Sequence, residues 1–217
     1  MLENYLKNRT VKIPLELPDC DRCRKSNTVW IRLHDTSFDF RCSCGEELSG
    51  SLGVGITVGY KGLYRSRYEL MQNDDPILSM VFSATALEWE LVRLRRKWLE
   101  INALDEGQDI SIEEIEKSLR RHLKIYDKIK KTGKLLYPQG FEKFVCDSSE
   151  LKNVVQQGFP SLSLDSLIKD FEENLFWPRN RILHFSYDGY AKDDAIKSYN
   201  IAQLGLLILN TMDKNNI

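Results

Sequence analysis

Two close pairs of cysteines constrain this chain more than any other feature. Cys20-Asp21-Arg22-Cys23 and Cys42-Ser43-Cys44-Gly45 hold four of its five cysteines within roughly the first fifth of 217 residues. The opening Met1-Leu2-Glu3-Asn4 lacks the basic-then-apolar layout of a secretory signal. That points to the cytoplasm, where thiols stay reduced. Two close pairs of reduced cysteines indicate a metal site rather than a disulfide framework. A short knuckle lets two thiolates converge on one ion, and Gly45 permits a tight turn after the last of them. Zinc prefers four such ligands in a tetrahedron. Cys20, Cys23, Cys42 and Cys44 are therefore expected to hold a structural zinc, the alternative being four unligated thiols. His34 is a substitute donor by chemistry, but its position between two strand-like runs reads as surface. Four thiolates fill the tetrahedron and leave no open position, so no catalysis is expected of this metal.

Between the knuckles, Thr28–Leu33 and Ser37–Arg41 are β-rich and roughly alternating, with His34-Asp35-Thr36 as the turn of a hairpin. The arrangement resembles a zinc ribbon. Leu48–Leu63 is glycine-rich but lacks the G-K-[ST] of a phosphate-binding loop. It is expected to be a flexible connection with a short strand at Ile56-Thr57-Val58, closing a β-rich module over residues 1–65.

From residue 75 to 217 the pattern is helical. Asp75-Pro76 is a cap followed by a first-turn proline. Ile77, Met80, Ala84, Leu87, Leu91, Leu94, Trp98 and Ile101 then recur at three- and four-residue steps along one long helix. A second helix is expected to open at Ser111, with Glu114 completing a capping box and Gly133 as its stop, and to pair antiparallel with the first. Its inner face is Ile112, Ile115, Leu119, Leu123, Tyr126 and Ile129. A short helix follows over about Ser149–Gln156, with Cys146 a small, partly buried residue before it. A third helix runs over about Ser163–Trp177; Pro178 interrupts it, and a new helical segment starts at or just after Pro178. The last carries Ala195, Tyr199, Ala202, Leu206 and Leu209. The fold expected is mainly α: a helical bundle behind a small β module.

The segment that carries chemistry is Trp177-Pro178-Arg179-Asn180-Arg181-Ile182-Leu183-His184-Phe185. Asn180 and His184 are four apart and share a helix face, with Arg179 flanking it. An arginine fork suits a phosphate, and a histidine can give or take a proton near neutral pH. Arg181 is a possible second cation.

The run Arg179-Asn180-x-x-x-His184, between the last two helices of a bundle, resembles the signature of HEPN domains. The resemblance covers roughly Asp75 to Asp213, carried by the motif and its flanking helices. It implies a HEPN-like bundle that cleaves RNA without a catalytic metal, as a homodimer whose two motifs face one cleft. In that scheme His184 acts in acid–base catalysis on the ribose 2′-hydroxyl and the leaving group. Arg179 stabilises charge on the phosphorane, and Asn180 positions His184. The products carry a 2′,3′-cyclic phosphate and a 5′-hydroxyl. A toxin, antiviral or abortive-infection role, with an antitoxin or other regulatory partner, follows by the same analogy. Ser186 stands where one toxin subgroup has tyrosine, and Tyr187 is one residue further. The acidic residue that many HEPN proteins carry on an early helix is matched by Glu88 or Glu90, with no basis in the sequence for choosing.

The formal net charge of -1 implies no nucleic-acid partner by itself, so any RNA track must be local. Two basic runs offer one: Arg93, Arg95, Arg96 and Lys97, and then Arg120, Arg121, Lys124, Lys128, Lys130 and Lys131. A solvated face is the competing explanation. No stretch approaches the ~18 apolar residues of a membrane span. A second function class stays open beside the enzyme. In it the zinc module, with Arg22, Arg24 and Lys25, binds nucleic acid or protein, and the helices dimerise or bind nucleotide without cutting.

Overall fold

The computed structural model describes residues 12–17, 20–25, 27–32, 37–51, 57–105 and 124–215. The hairpin expected between the knuckles is not how the strands pair. β1 (Lys12–Leu17) pairs antiparallel with β2 (Asn27–Arg32), and β3 (Ser37–Arg41) with β4 (Glu47–Ser51). The β1–β2 register sets Ile13 opposite Ile31 and Leu15 opposite Val29. It thus matches apolar to apolar positions along one face, which a strand with alternating pattern selects for. Each knuckle follows or links the strands of one ladder. His34 and its neighbours in the expected turn lie outside the described residues.

The region expected to end as a loose connection is a helix instead. Thr57 accepts the N–H of Tyr60 at 3.5 Å and caps α1 (Val58–Met71), so Val58 begins a helix rather than ending a strand. Its buried side, including Leu63, Ser66 and Leu70, lies on α2 (Pro76–Asp105). Ser66 donates to the backbone oxygen of Ser79 at 2.9 Å and lies 2.7 Å from the Ser83 hydroxyl. Small side chains with paired hydroxyls let the two helices approach closely. Gly59 and Gly62 are not loop glycines: they face neighbouring helices inside the fold.

α2 behaves as its pattern predicts. Asp75 caps it by accepting the N–H of Leu78 at 2.9 Å. Met80, Ala84, Leu87, Leu91 and Leu94 are fully buried along its length. Residues Ser111–Leu123, with the expected capping box, fall outside the described residues. From Lys124 onward, α3 (Ile125–Leu136) runs straight through Gly133. Gly133 is there for close approach and not as a stop: an added Cβ would sit 2.9 Å from the backbone nitrogen of Phe141. Phe141 opens α4 (Phe141–Asp147), a helix the sequence reading lacked, and α5 (Ser149–Gly158) follows with Ser148 as its cap.

Pro178 does not break the chain direction. A 3-10 turn (Leu164–Ser166), α6 (Leu167–Phe171), a π-helical turn (Glu172–Phe176) and α7 (Trp177–Phe185) follow without interruption. Pro178 has no N–H to give the Asn174 carbonyl four residues back. Ser198 of α8 (Lys192–Lys214), buried, donates to that carbonyl at 2.9 Å. The widened turn absorbs the proline ring and sets the orientation of α7. Among the described residues no helix is long and apolar enough to cross a membrane.

Ser198→Ala should therefore leave the Asn174 carbonyl without that donor and lower stability by about 1–2 kcal/mol in a denaturant titration. No change in the midpoint would show that the π turn holds itself.

Candidate active site and metal centre

The four knuckle thiols converge. Cys20 Sγ lies 3.6 Å from Cys44 Sγ, and Cys23 Sγ 3.6 Å from Cys42 Sγ. All four sulfurs lie within 4.8 Å of one another. A regular tetrahedron with a metal–sulfur bond of about 2.3 Å has edges of about 3.8 Å, so the cluster fits a tetrathiolate metal site. The backbone builds it. Arg24 N donates to Cys20 O at 2.7 Å, with Arg24 in the left-handed region at φ 56°. Gly45, at φ 88°, donates to Cys42 O at 2.8 Å, a conformation that favours glycine. At Cys42 the backbone N–H of Cys44 outweighs burial and, with the other thiols, lowers the thiol pKa to about 6. At Cys23 the N–H of Lys25 works in the same sense, but burial and the other three thiols push it up to about 11. Cys146 lies apart from the cluster, half-buried on α4.

The second group of residues gathers around Glu88 of α2. Arg179 donates one terminal nitrogen to Glu88 Oε2 and the other to Asn180 Oδ1 at 2.9 Å. Lys128 of α3 donates to Glu88 Oε1 at 2.5 Å. Burial alone would raise the Glu88 pKa, but Arg179 and then Lys128 outweigh it and hold the carboxyl below the usual glutamate range. Glu90, the other acidic candidate, faces elsewhere. It is fully buried, takes two bonds from Arg93 at 2.7 and 3.0 Å, and accepts Gly59 N at 3.2 Å. The structure therefore puts Glu88, not Glu90, against Arg179.

A cleft of about 300 Å³ opens beside this group, lined by Glu88, Lys124, Lys128, Trp177, Arg179 and Asn180 among others. Glu172 is the second carboxylate in its wall, so three cations face two anions. His184 does not line it. The imidazole lies one turn beyond Asn180 on α7 and is exposed, with no side-chain hydrogen bond among the described residues. Arg181, the possible second cation, sits with its guanidinium 4.3 Å from the Tyr187 ring centroid. The structure brings Arg179 and Asn180 together with Glu88 and Lys128, and leaves His184 open to solvent beside them. In the basic run of α2, Arg93 pairs with Glu90 and Lys97 with Asp213 at 2.8 Å, so these two charges are met within the fold. Arg120 and Arg121 of the second run lie outside the described residues.

Sequence reasoning gave no role here to Lys128 beyond a charge run, and none to Trp177. Both are recruited by helix packing between segments 40 or more residues apart, which local spacing does not reveal. Comparison with protein-family models, curated proteins and solved structures finds no match to this chain.

Cys42→Ser should abolish stoichiometric zinc binding by the purified protein, read by elemental analysis, while Cys146→Ser keeps it. Equal metal content in both variants would rule out the tetrathiolate site. The Glu88 pair has a pH signature. A depressed carboxyl pKa stabilises the fold in full above the unfolded value of about 4.3, and that contribution is lost as pH falls through the lower folded value. Thermal midpoints taken from about pH 6 to about pH 3 should fall more steeply for wild type than for Glu88→Gln. Parallel curves would mean that the pair does not stabilise the fold.

Proposed function

We propose that this protein is a HEPN-type endoribonuclease, with Arg179, Asn180 and His184 as its motif. The observation that carries the reading is that Arg179, on the same short helix as His184, lines a cation-rich cleft large enough for a phosphodiester. His184 takes the proton of a ribose 2′-hydroxyl as its oxygen attacks the adjacent phosphorus. The P–O5′ bond breaks, and the 5′-oxygen leaves with a proton. The ends are a 2′,3′-cyclic phosphate and a 5′-hydroxyl. Arg179 neutralises charge that develops on the phosphorane oxygens. The Asn180 oxygen accepts from Arg179, so Asn180 orients the guanidinium in this state; orienting His184 falls to the bound substrate or to a second copy.

A homodimer with two facing motifs supplies one histidine as base and another as acid. Leu183 and Phe185, 40% and 79% exposed on either side of His184, are apolar surface suited to a second copy of this chain. The tetrathiolate site supplies zinc-dependent structure and takes no part in cleavage. A defence or toxin role, held in check by a regulatory partner, completes the proposal. One observation favours the rival reading of a non-cutting binding module: Arg179 is engaged by Glu88 within its own chain, and phosphate must displace that carboxylate.

Wild type, His184→Ala and Arg179→Ala incubated with mixed RNA, with and without added Mg²⁺, separate the two. Each substitution should lower cleavage at least about a hundredfold, and Mg²⁺ should not be required. The product 5′ ends should accept phosphate from a kinase. Equal cleavage by all three proteins would remove the site.

A further inference from the structure

Trp177 is the most exposed tryptophan among the described residues whose side chains are placed. It is 54% exposed, against 9% for Trp98, and Trp89 is half-buried. An indole that large is ordinarily covered, because its apolar area dominates its transfer free energy. Its position is not incidental. It begins α7, directly after the π turn, and it lines the same cleft as Lys124, Lys128 and Arg179. Trp177, Asn180 and His184 stand at i, i+3 and i+7, so they form one row along the helix. The indole N–H has no hydrogen bond among the described residues. The row presents a flat aromatic surface, then an amide, then an imidazole, with cations on its flank.

We infer that Trp177 is a stacking platform for an unpaired nucleobase, and that the phosphate beside that base is held by Lys124 and Lys128 at the mouth of the Arg179 cleft. The inference rests on the ribonuclease reading of this site and adds its substrate class, single-stranded RNA. Every base has a π face, so stacking tolerates sequence but needs the base out of a duplex. Charge complementarity selects a nucleic-acid strand over an apolar partner: three cations line the cleft onto which the indole opens. Lys128 is bonded to Glu88 and can exchange that carboxylate for a phosphate with little movement of its chain. Lys124, exposed at the start of α3, adds a further cation to the lining. A base on Trp177 places the next phosphate toward Asn180 and His184 along the row.

The test uses the full-length protein and a cleavage-resistant 2′-O-methyl single strand, with the matching duplex as comparator. Binding of the single strand should quench tryptophan fluorescence in wild type. Trp177→Phe should abolish the quenching yet bind within a few-fold of wild type, because a phenyl ring still stacks. Trp177→Ala should bind about tenfold more weakly, and the duplex should cause no quenching. Quenching that persists in Trp177→Phe, wild-type affinity in Trp177→Ala, or no binding by wild type would each overturn the inference. So would Trp177→Ala turning a dimer into a monomer in sedimentation, since the indole would then be a subunit contact. Cleavage of the unmodified strand, followed in parallel, keeps the two readings apart. Quenching without any cleavage sinks the ribonuclease and leaves a strand-binding site. Cleavage that ignores Trp177 sinks only the stacking site.

Discussion

The helical part of this protein depends on burial of one side of α2. Its apolar stripe is covered by α1, α3 and α8, and the flanks of the stripe carry two glutamates. Glu88 and Glu90 are two residues apart, about 200° around the helix axis, and so serve opposite sides. Glu90 holds the start of α1 through Gly59 N and neutralises Arg93, which also lies 3.6 Å from Asp213 near the end of α8. Glu88 ties α3 and α7 together through Lys128 and Arg179. Both carboxylates are removed from most solvent, and a buried charge persists only when it is paired and hydrogen-bonded. Each therefore fixes the packing of the helices that supply its partners.

That arrangement makes the electrostatics of the cleft conditional. One carboxylate is shared by two cations, so the group carries a net positive charge, and the buried Arg179 Nε has no hydrogen-bond partner among the described residues. An incoming phosphate competes with Glu88 for groups already aligned, and the cost of ordering them has been met by folding. The carboxylate that supports the fold also screens the site until an anion enters. The π turn contributes in the same way. It takes up the proline, and Trp177 and Arg179 beyond it line the same cleft as Lys128.

Local patterns were readable in the chain where local physics sets the outcome. The Asp75 cap, the α2 stripe, the apolar side of the last helix and the two cysteine knuckles all follow from spacings of a few residues. Errors arose where a residue's reason for being there was distant. Gly133 resembled a helix stop but is a contact with Phe141, and Gly59 and Gly62 resembled a loop but lie in α1 against α2 and α8. β2 and β3 looked like partners because they are adjacent, while register with β1 and β4 decided the pairing. In the candidate site the sequence placed Asn180 and His184 on one face, which holds for any helix. It offered Glu88 and Glu90 equally, since periodicity marks the apolar face of a helix and says nothing about which flank meets a distant arginine.

By itself, then, the sequence determined the helical character of the described residues after 75, the four-thiol set and the Arg-Asn-x-x-x-His run, because hydrophobic period, ligand spacing and motif order are properties of a short segment. Tertiary structure alone decided that α1 is a helix joined to the bundle, that Arg179 and Lys128 both pair with Glu88, and that Trp177 stays exposed at the cleft. Those outcomes depend on which buried charges find partners and which close approaches small residues permit, and both are settled only when segments far apart in sequence pack together.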